Sequence, residues 1–164
     1  MTRSNILTVV LTVGALANIP DVGFAQTAKD LVGTWTSASN VNILADGRRV
    51  PVFGSKGTGM AIFDASGRFS VINFNPETPK FASGNRAQGT AEENKAAVLG
   101  AIALYGTYTV GDKVINMKVE GSTYPNWTGT EQKRTVSSFS ADEIKWTLPA
   151  SIGGTAEVTW RRVK

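Results

Sequence analysis

The sequence predicts an all-β fold, an antiparallel sandwich or barrel with one helix set between strands. Three observations point there. Short apolar segments rich in β-branched and aromatic residues recur after residue 26. Turn-forming pairs and clusters separate them at short intervals. A single stretch near residue 90 breaks the rhythm with helix-start chemistry.

The elements follow in chain order. Leu31 to Ala38 reads as a long first strand, and Asp46-Gly47 suits a tight hairpin turn because both positions tolerate positive φ. Thr58–Phe63 and Arg68–Phe74 read as two strands joined by Asp64-Ala65-Ser66-Gly67, with Gly67 placed for a left-handed conformation. In the second of these, either Phe69 and Val71 or Ile72 and Phe74 face inward. Residues 75–89, rich in Pro, Gly, Ser and Asn, form a long loop of the kind that carries function on small domains.

Thr90-Ala91-Glu92-Glu93 has the form of a capping box, and its two glutamates suit the positive end of a helix. Val98, Ala101, Ile102 and Tyr105 then recur at helical spacing, so the helix is expected to run to Gly106 as a packing element or lid. Thr107–Val110 and Val114–Glu120 make a hairpin whose two-residue loop, Gly111-Asp112, favours a type II′ turn. Thr130–Phe139, Glu143–Leu148 and Ala156–Val163 complete the strands, with turns at Ser140-Ala141-Asp142 and Pro149–Gly154.

Residues 1–25 are expected to stand apart from this fold. Arg3 precedes an apolar run from Ile6 to Ala17, then Pro20 and a small-x-small site at Gly23-Phe24-Ala25. That is the layout of a secretory signal peptide, cleaved after Ala25. The run is too short for a bilayer, which takes roughly 20 apolar residues. The mature domain would span residues 26–164 and be secreted or periplasmic, with no stable membrane insertion after cleavage.

Composition narrows the chemistry. The chain has no cysteine and no histidine. Packing alone must stabilise it, and Ser-His, Cys-His, thiolate and imidazole sites are excluded. The net charge of +4 comes from dispersed basic residues, with no recognition-helix pattern, so nucleic acid is not an expected partner. No Gly-rich phosphate loop links a strand to a helix, and no cofactor or metal is implied.

The expected site lies between Glu120 and Arg134. Alternation puts Glu131, Lys133 and Thr135 on the solvent face and Gln132, Arg134 and Val136 on the other. A buried Arg134 would need a partner, for which Glu120 is the expected residue, or a ligand. Residues 122–129 set Tyr124 and Trp127 beside Asn126 and hydroxyl groups. That composition fits either a small-molecule pocket or a packed turn that covers a barrel end. Asn126-Trp127-Thr128 also matches the N-glycosylation pattern. Ile144, Trp146 and Leu148 alternate inward. The carboxylates are scattered and mostly explained by turns and caps, which leaves Glu120 as the lone candidate acid or base.

Gly33-Thr34-Trp35 resembles the Gly-x-Trp signature of lipocalins, and Arg161 or Arg162 resembles the late arginine that packs across that tryptophan. The wider match is to the lipocalin-like domain family. It rests on Leu31–Trp35, the Asp64–Arg68 hairpin, Gly106-Thr107-Tyr108-Thr109-Val110 and Val119-Glu120-Gly121-Ser122, then Pro125-Asn126-Trp127, Gly129, Gln132 and Arg134. The resemblance implies a closed antiparallel barrel of about eight strands, a size that is filled by side chains or holds one small ligand. It assigns structural roles to Gly33, Trp35 and Arg161 (or its neighbour Arg162). The chain lacks a clear Thr-Asp-Tyr motif, and no histidine stands in Asn116-Met117-Lys118.

Three functions are compatible with this reading. The first is an exported binding protein for a small, largely apolar molecule, with Tyr108, Tyr124, Trp127 and Trp146 as walls and Asn126, Gln132 and Arg134 as polar handles. The second is a cyclase or isomerase that uses Glu120 with Arg134. The third is a structural protein with a filled barrel. A cavity separates the third from the others, and the direction of Glu120 tests the second.

Overall fold

The computed structural model describes residues 27–164; the signal-peptide expectation for residues 1–25 lies outside them. Nine strands form one antiparallel sheet: β1 (Gly33–Ile43), β2 (Arg49–Pro51), β3 (Thr58–Phe63), β4 (Arg68–Phe74), β5 (Ala101–Gly111), β6 (Val114–Ser122), β7 (Glu131–Phe139), β8 (Glu143–Pro149) and β9 (Thr155–Arg162). From β3 to β9 each strand pairs with the next. β1 then pairs with β3 on one side and β9 on the other, so eight strands close into a barrel. β2 is extra. It pairs with Val41–Ile43, the part of β1 beyond the reach of β3. Closure leaves the eight main strands without a long open edge.

Two short α-helices accompany the barrel, α1 (Ala28–Leu31) and α2 (Ala91–Leu99), with 3-10 turns at Arg86–Gln88 and Pro125–Trp127. The first strand therefore starts at Gly33 rather than Leu31. Thr27 and Asp30 cap α1 reciprocally, and Leu31 is buried at the barrel end. Capping chemistry overrode the apolar run that looked like strand.

α2 starts at the expected capping box, Thr90 with Glu93, but stops at Gly100, not Gly106. The stripe of Val98, Ala101, Ile102 and Tyr105 is not a helix face, because Ala101–Gly111 is strand. Leu104, Gly106 and Tyr108 point inward at period two, a pattern that the helical spacing hid. Gly106 serves a β-bulge instead of a helix end. The β5–β6 register shifts between Tyr105 and Gly106, and a Cβ there would lie 1.9 Å from the Lys118 carbonyl oxygen. The β5–β6 loop is also displaced by one residue. Its two residues are Asp112-Lys113, and Lys113 rather than Gly111 takes the positive φ, 51°. The Asp64–Gly67 turn forms as expected, with Gly67 at φ 83° and the Asp64 carboxylate accepting from the Ser66 and Arg68 amides. Those bonds hold the Asp64 pKa below its ordinary value.

Inward residues sort the barrel into two ends. Phe69 and Val71 are the inward pair on β4, and Asn73 continues their face. At one end Leu31, Trp35, Phe63, Phe69, Tyr108 and Ile144 fill the interior. Phe63 meets Tyr108 edge-on at 5.1 Å between centroids, a favoured aromatic geometry. The β1–β9 seam is clamped there. The Arg162 guanidinium lies 4.1 Å from the Trp35 ring centroid. It donates to the carbonyls of Ala141, Val32 and Asp30. The Trp35 indole donates to Leu31 O at 2.9 Å. Gly33, at φ 138°, leaves room for the crossing arginine, since a Cβ would sit 2.7 Å from Arg162 Nη1. Arg161, the expected structural arginine, alternates outward and pairs with Glu143. Arg162 takes the role.

Truncating the clamp tests this assignment by urea unfolding. Arg162→Ala should cost about 2–3 kcal/mol, from the lost cation–π contact and charge-assisted hydrogen bonds. Arg161→Ala should stay within about 0.5 kcal/mol, as exposed ion pairs do. Equal losses would contradict the clamp.

Candidate functional site

The opposite end of the barrel is hollow. A cavity of about 60 Å³ lies between the strands and opens through a recess with about 580 Å³ of atom-free space, solvent at the mouth included. Its walls are apolar. Trp146 and Leu148 come from β8, Val158 and Trp160 from β9, Ile102 and Leu104 from β5, and Val71 from β4. Loops form the mouth. Phe53 follows β2, Trp127 closes the turn Pro125–Trp127, and Ile152 projects from the β8–β9 loop with 57% of its surface exposed. Asn42 secures that loop to β1 by donating to Gly153 O at 2.8 Å.

Polar residues interrupt these walls: Asn40 and Ser151 among the lining residues, and, deeper in burial, Asn73, Arg134 and the Trp160 indole. Arg134 is 4% exposed. It donates to Gln132 Oε1 at 2.7 Å and, at 3.4 Å, to the Lys133 carbonyl. None of the ion pairs among the described residues involves it. Burial pushes its pKa down to about 10, so it remains charged at neutral pH. Asn73 and Trp160 also line the cavity, and their Oδ1 and Nε1 atoms are buried without a hydrogen-bond partner in the protein. Unsatisfied buried groups of this kind are rare in folded proteins and costly to leave unmade.

The expected site residues divide in this geometry. Trp127, Arg134 and Trp146 line the cavity. Gln132 does not line it but fixes the Arg134 guanidinium from the same strand face. Tyr124 stands behind Trp127, edge-on at 5.5 Å, and Asn126 is exposed in the same turn. Tyr108 is far from its expected place. It belongs to the filled end, where its hydroxyl donates to Asp64 O at 2.9 Å and burial raises its pKa. Its alternation was legible, but which barrel end it faced was not.

Glu120 is a correction of a different kind. It points outward and pairs with Arg68 at 2.7 Å on the barrel exterior, not with Arg134. It sits one position from the inward-facing Val119, so strand alternation turns it away from the interior. It cannot protonate anything held in the cavity, and with it goes the acid of the cyclase or isomerase reading. Among the described residues no cluster of three or more His, Cys, Asp or Glu side chains could hold a metal ion. α2, the expected lid, contributes no residue to the cavity wall.

Sequence reasoning missed Asn73 and Trp160. Both had a signal. Asn73 continues the inward alternation of Phe69 and Val71, and Trp160 that of Ala156 and Val158. Phe53 carried none, because it lies in an irregular loop.

The chain is similar to several known proteins. A relative, the 4'-hydroxy-3'-methoxypropiophenone carrier protein of Aspergillus oryzae, is 34% identical over 102 residues, covering 54% of this chain and 90% of the relative. Among solved structures, a redesigned β-barrel aligns over 87% of this chain and 99% of its own, at 15% identity and a TM-score of 0.45. An uncharacterized protein of Bacteroides eggerthii aligns over 81% and 99%, at 14% identity and a TM-score of 0.43. The profile of the lipocalin-like domain family matches residues 32–163, nearly the whole described barrel. With the closed eight-stranded barrel and the Gly33–Trp35–Arg162 clamp, that match makes this chain a member of the lipocalin-like domain family.

Proposed function

We propose that this protein is an exported carrier that binds a small, largely apolar molecule in the hollow end of its barrel. The observation that carries the reading is the cavity itself, with aromatic walls, a buried Arg134 whose only partners are two neutral oxygens, and two further residues, Asn73 and Trp160, with buried polar atoms that lack a protein partner. Binding sites for small molecules have this composition, apolar walls with a few placed polar handles. The relative described as a carrier of a methoxylated hydroxypropiophenone supports the same reading, since that cargo is a small aryl ketone. Export is supported by the leader-like layout of residues 1–25.

The small volume of the cavity sets a constraint. At about 60 Å³ it is smaller than any drug-sized ligand needs, typically about 300–1,000 Å³. A ligand therefore occupies the recess up to the mouth, and Trp127 and Ile152 give way to admit it. Carrying rather than catalysis fits the interior, where no carboxylate lines the wall.

Two measurements test the proposal. N-phenyl-1-naphthylamine, a neutral apolar fluorophore, should brighten on binding the wild-type protein. Ala156→Leu puts bulk into the cavity wall and should weaken that binding at least about ten-fold, at a stability cost of about 1–3 kcal/mol. Unchanged binding in this variant would place the ligand elsewhere. Mass spectrometry of the protein from its own host should find an N-terminus at Gln26 in the extracytoplasmic fraction; an intact Met1 chain in the cytoplasm would refute export.

A further inference from the structure

The carrier reading leaves the head group of the ligand open, and Arg134 bears on it. A guanidinium has five N–H donors and no acceptor. In this structure two bonds are satisfied, by Gln132 Oε1 and the Lys133 carbonyl, both neutral oxygens. A charge removed from water needs an opposite charge or a full set of hydrogen bonds. Arg134 has neither within the described residues, although it sits on the wall of a cavity. The acidic side chains nearest in sequence do not serve. Glu131 faces solvent, and Glu120 is held outside by Arg68.

The geometry points to a ligand that supplies the missing anion: a small aromatic acid, with a carboxylate or an ionised phenol against Arg134 and a flat ring among Trp127, Trp146 and Trp160. This inference rests on the carrier reading. The ring preference follows from the walls, since three of the four tryptophans in the chain line the cavity. Gln132 matters because it holds the guanidinium in place before the ligand arrives, which lowers the ordering cost of binding. Trp160 Nε1 can donate to a second ligand oxygen. Asn73, whose amide oxygen has no partner, can accept from a ligand hydroxyl. An acid that also carries a ring hydroxyl would satisfy all three.

Competition against bound N-phenyl-1-naphthylamine at pH 7 tests the inference, with cinnamate and cinnamamide as a matched pair that differs in charge and little in shape. Cinnamate should displace the probe from wild type at about ten- to hundred-fold lower concentration than the amide, the range expected of a charge-assisted bond. Arg134→Met removes the charge but keeps an unbranched apolar chain, and should abolish the preference while amide binding is retained. Arg134→Lys should keep part of it. If Arg134→Met does not fold, the wild-type ratio and the lysine variant decide. Equal displacement by acid and amide in wild type, or a preference that survives Arg134→Met, would overturn the aromatic-acid inference alone. Failure of the neutral probe itself to bind would overturn the carrier reading and this inference with it.

Discussion

The pairing of β1 with β9 is the constraint on which the rest of the structure depends. It turns a meander of neighbouring strands into a closed wall, and no disulfide is present to do that work. The seam is held along most of β1, with a register shift between Ser37 and Ser39. At one end it is locked by Arg162, which joins the ring of Trp35 to carbonyls of α1, the β1 entry and the β7–β8 turn. Gly33 exists in that lock as space. The Gly-x-Trp pattern is thus a packing requirement of the seam.

Closure also creates the cavity. Once the wall is shut, inward residues meet across the interior, and their sizes decide where space remains. Trp35, Phe63, Phe69 and Tyr108 fill one end. At the other end smaller residues such as Val71, Ala156 and Val158 share the wall with tryptophans, and a cavity persists. The same closure traps the Arg134 charge. On an open sheet its guanidinium would reach water; inside the barrel it meets Gln132 and the cavity. Anything that opens the seam would hydrate Arg134 and dissolve the site together with the fold.

Much of the barrel was legible in the sequence because strands and turns leave local marks. Asp64–Gly67 announced its hairpin through a side chain that bonds its own turn, and Glu131–Val136 announced its two faces by alternation. Errors came where two periods coincide or where the answer is not local. Val98 to Tyr105 satisfies a helical stripe by accident, and only the strand pairing of Ala101–Phe74 and its neighbours decides against it. The choice between Arg161 and Arg162 is a choice of face on the last strand, and a one-residue difference reverses it. The lining of the candidate cavity was half legible. Trp127, Arg134 and Trp146 were found from residue type and alternation. Tyr108 was misplaced because depth along the barrel axis has no signature in a single strand, whereas Asn73 was overlooked although alternation with Phe69 and Val71 marked its face.

If one end of the barrel is filled and the other receives a ligand, the four tryptophan indoles report on the two ends separately. In a two-dimensional nitrogen–proton spectrum, addition of a bound aryl ligand should shift the indole signals of Trp127, Trp146 and Trp160. The Trp160 N–H has no partner among the described protein groups and should move most if the ligand supplies an acceptor. The Trp35 indole, bonded to Leu31 O at the filled end, should stay in place. A ligand that shifts Trp35 and leaves Trp146 and Trp160 unchanged would contradict the account.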